Sequence, residues 1–247
     1  MIKKILSSFL VSSALIVFFA TGSMADRPTF AIGASVAYGG YVASGQELEG
    51  ASTQEKNEDE ESGEFGYTSL FLEVSFADRL TVGASWMMDS VETAMQERTD
   101  AAQNYNKLCG DTSNQSTVDA AQNAPGCGNA GTSTAKAEFS NLVTAYAELN
   151  LYNGLYVKYG IMEMDVDTKE SLHTDTSYPN STMDGYTYGF GWKGSFDNGV
   201  YIKTETLLQD WSTLTIEGEG STDTDNKTQI SADLSGAVAQ ISIGRAF

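Results

Sequence analysis

The feature that most constrains this chain is the spacing of its connectors. Segments rich in Phe, Tyr, Val, Ile and Thr with a two-residue period recur at about 28–43, 65–76, 80–95, 137–151, 155–166, 185–196, 200–211 and 228–247. That period puts alternate side chains on opposite faces and reads as β-strand. The links between the segments alternate in length. Ala77-Asp78-Arg79, Tyr152-Asn153-Gly154 and Asp197-Asn198-Gly199 are tight; those near 44–64, 96–136, 167–184 and 212–227 are long and polar. A soluble β-sandwich has no reason to sort its loops this way. A barrel that crosses a membrane does, with short turns on one side and long loops on the other. The pattern predicts a single all-β domain, an antiparallel eight-stranded transmembrane up-and-down barrel. A short helical turn within 96–108 is the one departure expected.

The start of the chain fits export. Lys3 and Lys4 precede the apolar run from Ile5 to Ala20, and Ser23-Met24-Ala25 places small residues where a signal peptidase cuts. Residues 1–25 are therefore expected to be a signal peptide and 26–247 the barrel domain. An uncleaved anchor helix is the competing reading, disfavoured by the acidic flank after Ala25. The sequence carries 14 basic and 33 acidic side chains, a net charge of −19. Such a surface repels nucleic acid, so none is expected as a partner, and attracts cations. No later apolar run approaches the ~20 residues of a transmembrane helix. Cys109 and Cys127 share one polar stretch. In an exported chain they are expected to form a disulfide tying the second long loop, worth about 3 kcal/mol in the chain-entropy model. A two-cysteine metal site is the alternative, without a histidine nearby.

Parity tests the hairpins, because residues directly opposite in an antiparallel pair share a face. Three-residue turns put Phe76 opposite Leu80, Val74 opposite Val82 and Leu72 opposite Ala84. They put Leu151 opposite Leu155, Leu149 opposite Val157 and Ala147 opposite Tyr159, then Phe196 opposite Val200, Gly194 opposite Ile202 and Trp192 opposite Thr204. These sets are uncharged, as a lipid-facing wall requires. A two-residue Asn153-Gly154 turn would turn Glu148 and Asn150 toward lipid, so the three-residue register is expected there.

The complementary faces collect charge. Glu148 falls opposite Lys158 and Lys193 opposite Lys203, with Glu73 at the same level and Glu205 one step beyond. Three acids and three bases are thus expected in one lumen layer, tolerable only if paired. The first strand turns Phe30, Ile32, Ala34, Val36 and Tyr38 outward, and the small Ala31, Gly33, Ser35 and Ala37 inward, leaving room for those long side chains. Phe76, Phe196 and Phe247 are expected to ring one edge of the membrane, and Trp86, Tyr186, Tyr188 and Trp211 the other.

With these residues in place, the chain resembles the small eight-stranded outer-membrane barrels of Gram-negative bacteria, the OmpA transmembrane domain, OmpX and OmpW-like group. The carriers are the leader, the alternation of connectors, and the last strand, which ends Gln240-Ile241-Ser242-Ile243-Gly244-Arg245-Ala246-Phe247. The resemblance implies an integral protein of the outer membrane, in contact with its lipids and lipopolysaccharide. It also implies that Gly236, Ile241, Ile243 and Phe247 form the terminal signal read by the barrel-assembly machinery. Arg245 departs from that pattern, and at the interface its charge can snorkel toward phosphate groups.

An eight-stranded barrel has a lumen that side chains fill. The expected function is therefore structural or surface interaction through long acidic loops. A narrow channel for ions or small solutes is the alternative, and the OmpW likeness adds a lateral route for small apolar molecules. An enzyme is not expected. Some barrels of this group act on lipid A with His, Ser and an acid, but here His173 sits in a loop with Ser171 and Asp175, without the deacylase motif. No cofactor is implied. Glu55 to Glu61 is an acidic run, expected as a hydrated loop. Asp223 and Asp225 are hard oxygen ligands that suit Ca²⁺ or Mg²⁺, though the stretch lacks the glycine and distal glutamate of an EF-hand.

Overall fold

The computed structural model describes residues 28–49, 55–76, 79–100, 131–171, 177–218 and 229–247. Residues 1–25, expected as a signal peptide, and Cys109, Cys127, His173, Asp175, Asp223 and Asp225 lie outside the described residues. In chain order the strands are β1 (Thr29–Glu49), β2 (Glu55–Phe76), β3 (Leu80–Met87), β4 (Val91–Glu92), β5 (Gln96–Asp100), β6 (Gly131–Tyr152), β7 (Leu155–Ser171), β8 (Ser181–Ser195), β9 (Val200–Trp211), β10 (Leu214–Glu217) and β11 (Gln229–Ala246). Eight of them close a ring in the order β1-β2-β3-β6-β7-β8-β9-β11, with β11 pairing back onto β1. All the pairs are antiparallel, and among the described residues the closed ring leaves no open sheet edge, as a bilayer demands.

The exterior is apolar. Phe30, Ile32, Val36, Tyr38, Leu72, Leu149, Val157, Tyr159, Phe190, Ile241 and Ile243 all face outward and exposed. The alternate residues Ala31, Ser35, Ala37, Glu73, Glu148, Lys158, Lys203 and Glu205 are buried inside. A wall that is apolar outside and charged inside is the inverse of a soluble barrel, and is that of a membrane-spanning one. Phe196, Phe247, Trp86, Tyr186 and Tyr188 are exposed on the exterior, but Trp211 is not part of that girdle. It shares parity with Tyr201, Lys203 and Glu205 on β9 and is buried in the lumen.

The β2–β3 and β8–β9 pairings follow the tight-turn arithmetic, with Val74 opposite Val82 and Gly194 opposite Ile202. Gly199 takes the left-handed conformation at the end of its turn, with φ 80°. The β6–β7 turn differs from expectation. Asn153 and Gly154 both have positive φ, 51° and 82°, and Tyr152 rather than Leu151 pairs with Leu155. This is a two-residue turn of the kind Asn-Gly favours. A register shift between Asn150 and Tyr152 absorbs one residue, which restores Glu148 opposite Lys158 and Leu149 opposite Val157. The bulge thus keeps the charges inside, where the turn alone would expel them.

Some strands are longer than a bilayer needs: β1 and β2 have 21 and 22 residues, where about 9–11 span one. β1 and β2 stay paired to Glu49 and Glu55, so the acidic run expected as a loop is strand backbone. Where both faces of a hairpin meet water, no apolar alternation is needed to hold it. Gln96–Asp100, expected as helix, is strand β5 paired with β6.

Above Thr68 the wall divides. Met88 N–H still donates to the Thr68 carbonyl, and the Asp89 carboxylate accepts from Thr68 N–H and Oγ1 at 2.9 and 3.0 Å. Beyond this point β2 pairs with β1, while β4 and β5 pair with β6. The outer part therefore forms two leaves among the described residues, one of β2-β1-β11-β10 and one of β4/β5-β6-β7.

Candidate functional site: the lumen

The lumen has two tiers. The lower one is built on Lys203. From β9 its ammonium reaches across to Glu73 of β2, and to Glu148 Oε1 of β6 at 2.7 Å. Lys158 of β7 lies 2.9 Å from Glu205 Oε1 and 3.7 Å from Glu148 Oε1. Three carboxylates and two ammoniums, each nearly solvent-free, thus cross-link strands on opposite sides of the barrel. Further hydrogen bonds offset the cost of burying these charges, although Glu148 Oε2 is buried without a hydrogen-bond partner among the described residues. Tyr146 and Tyr201 donate to the two oxygens of Glu73 at 2.9 and 2.8 Å, and Gln240 donates to Glu205 Oε2 at 2.8 Å. The Lys158 ammonium sits 3.8 Å from the centre of the Tyr146 ring, a desolvated cation–π contact.

Of the six charged residues expected in one layer, the structure brings together Glu73, Glu148, Lys158, Lys203 and Glu205. Lys193 stands apart. It pairs directly opposite Lys203, and like charges directly opposite on neighbouring strands repel. It instead lies over the Tyr201 ring at 4.1 Å, with Arg79, Asn150 and Ser195 around the lower mouth.

The sequence reading missed the aromatic ring around these charges: Phe71, Tyr146, Tyr156 and Tyr201. Each folds over a glycine directly opposite on the next strand, Gly33, Gly83, Gly191 and Gly244 respectively. A Cβ at those glycines would sit 2.2 to 2.6 Å from the facing ring. The glycines therefore make the space in which the rings lie flat against the wall and surround the ions.

The upper tier is apolar. Tyr67, Met87, Leu142, Met162, Met164, Met183 and Trp211 form one buried cluster. Leu142 is pushed inward by a bulge at Asn141, whose φ is 53° and whose amide donates to Asp165 at 2.9 Å. Between the leaves this tier encloses a cavity of about 60 Å³, reached by Tyr41, Phe65 and Leu234 from one leaf and Phe139 from the other. Gly236, expected in the assembly signal, faces this cavity, whereas Ile241, Ile243 and Phe247 face outward. Arg245 also faces outward, its guanidinium 5.4 Å from the Phe247 ring centre.

No family model matches the sequence, and no curated protein matches it. Solved structures do match in shape. The outer membrane protein OprG from Pseudomonas aeruginosa is 11% identical with a TM-score of 0.50, over 90% of this chain and 97% of that one. AlkL, solved in DMPC bilayers, is 10% identical with a TM-score of 0.42, over 92% and 94%. Ail of Yersinia pestis is 11% identical with a TM-score of 0.32, over 85% and 98%. The likeness to OprG is one of fold, that of a small outer-membrane β-barrel; the other two are too loose to carry an argument.

Proposed function

We propose that this chain is an integral outer-membrane barrel with a closed lumen, acting as a surface-interaction protein rather than a pore. One observation carries the reading. The Lys203-centred network ties β2, β6, β7 and β9 together across the barrel, and the aromatic ring fills the space around it. What faces the outside is then the apolar cup between the leaves and the acidic β1–β2 hairpin. The cup suits small apolar molecules, and the hairpin suits cations, including the divalent ions that bridge lipopolysaccharide phosphates. The exterior apolar wall supports contact with membrane lipid. The outward row Ile241, Ile243 and Phe247 retains its reading as a signal for the barrel-assembly machinery. The proposal includes no catalytic step and no cofactor.

Single-channel recording of the refolded barrel in planar bilayers tests it. The native chain should show no steady conductance. Glu73→Ala with Lys203→Ala, which empties the centre of the plug, should open a small one. A steady conductance in the native chain would favour the narrow-channel alternative and overturn the closed reading.

A further inference from the structure

We propose that the upper lumen is a binding site for a soft monovalent metal cation, copper(I) or silver(I), held by the thioethers of Met162, Met164 and Met183 beside the indole of Trp211. The proposal is independent of whether the lumen conducts.

The register places these groups together. Met164 of β7 is directly opposite Met183 of β8, and both are buried. One step toward the plug on the same face, Met162 is opposite Gly185. Gly185 is in turn opposite Trp211 of β9. A Cβ at Gly185 would lie 2.8 Å from Trp211 Cε3, so the indole lies across the glycine. Cross-strand and diagonal neighbours on one face are within reach of long side chains. Three thioethers and an indole therefore neighbour one another on one stretch of the lumen wall, with Met87 of β3 in the same buried cluster, and the Met162 sulfur accepts a weak contact from Gln209 Nε2 at 3.7 Å.

Chemistry selects the ligand. Thioether sulfur is a neutral, soft donor that favours copper(I) over hard cations such as Ca²⁺ or Mg²⁺. An indole face adds attraction for a cation by its quadrupole. Met164 and Met87 also line the cavity between the leaves, which gives an ion a path from the outer side. Of the eight methionines in the sequence, four are in this cluster. Methionine also serves as a flexible filler of apolar gaps, and that role needs volume but not sulfur. The two roles differ in what leucine does: it preserves the packing and removes the donor.

The test uses the full chain with Cys109→Ser and Cys127→Ser, so that thiols do not compete, refolded in micelles with ¹³C-methyl methionine. Silver(I) nitrate is the probe, which avoids any redox step. One silver per chain should saturate the site and shift the Met162, Met164 and Met183 methyl signals together. Met88 and Met95, which are 62% and 56% exposed, serve as the internal control and should not move. Joint Met162→Leu, Met164→Leu and Met183→Leu should abolish saturable binding; should that chain fail to fold, Met183→Leu alone should weaken binding by an order of magnitude or more. Equal shifts at Met88 and Met95, or leucine variants that titrate as the parent does, would overturn the proposal and leave the methionines as packing.

Discussion

The two tiers of the lumen solve the same problem by opposite means. Both must fill the inside of an eight-stranded ring, and each draws its side chains from the same inward parity. The lower tier uses charges, each tied to two or three partners drawn from strands across the barrel. The upper tier uses methionines and aromatics that need contact but no particular partner. The charged tier is therefore specific and brittle, because removing one member strands the others in a place water cannot reach. The apolar tier is tolerant, and tolerance is what a cavity between two leaves requires. Continuity of the wall explains the order: the closed tier lies where the ring is continuous, and the cavity lies where the wall divides above Thr68.

Lys203→Met should produce the largest effect, because it leaves Glu73 and Glu148 facing each other without their shared cation. The cost of breaking a buried pair in this way is about 3–5 kcal/mol. Met87→Leu in the upper tier should cost less than about 1.5 kcal/mol, as volume-conserving swaps do. Urea midpoints of the refolded barrel, followed by the mobility difference of folded and unfolded forms on a gel, measure both. Adding Glu73→Gln and Glu148→Gln to Lys203→Met should recover part of the loss. If the lysine and methionine variants unfold at the same urea concentration, the tiers do not differ as argued.

A glycine comparison sharpens the contrast at smaller scale. A Cβ at Gly191 would lie 2.5 Å from the ring carbon and hydroxyl of Tyr156, which packs among the ions. Gly191→Ala should therefore displace that ring and cost about 1–3 kcal/mol, as overpacking does. At Gly236, in the upper tier, the nearest atom is the Gly40 carbonyl oxygen at 3.2 Å, and the next is the end of the flexible Gln209 at 3.7 Å. Gly236→Ala should shift the urea midpoint by clearly less than Gly191→Ala. The reverse order would mean that the aromatic ring is looser than the charges it surrounds.

These contacts also show where sequence reasoning stops. The charged tier was legible because Glu148, Lys158, Lys203 and Glu205 lie on hairpins closed by tight turns, and tight turns set register. The four aromatic–glycine pairs were not. Phe71–Gly33, Tyr146–Gly83, Tyr156–Gly191 and Tyr201–Gly244 all join strands linked by what read as long connectors. Such links leave register open, so nothing in the sequence says which glycine meets which ring. Trp211 was placed outside as an interface aromatic, although its parity with Lys203 and Glu205 already put it inside. At the Asn153-Gly154 turn the local preference and the parity argument each carried part of the answer. The bulge at Leu151 reconciles them, and bulges leave no mark in a two-residue pattern.

The smallest effect separates the plug from the leaves by pH. In the outer leaf Lys136 and Lys169 are directly opposite, as are Glu138 and Asp167. The like charges are relieved diagonally, by Lys169 on Glu138 and by Lys136 on Glu92 at 2.7 Å. The hydrogen bond from Lys169 holds the Glu138 carboxyl below its usual range, and the same bond raises Lys169. A lowered carboxyl contributes stability that is present above its unfolded value, ~4.3, and is lost as pH falls through the lower folded value. A raised lysine contributes below its unfolded value, ~10.4, and loses that contribution as pH rises through the higher folded one. The pair should therefore hold the leaf between those limits, weakly, because exposed pairs are screened by salt. Amide protection at Val166–Thr168 should fall at low pH relative to neutral pH, while protection around Lys158 changes less. Glu138→Gln, or high salt, should flatten the response in the leaf. If protection at Lys158 falls first, the charged tier rather than the leaf is the acid-sensitive part of the barrel.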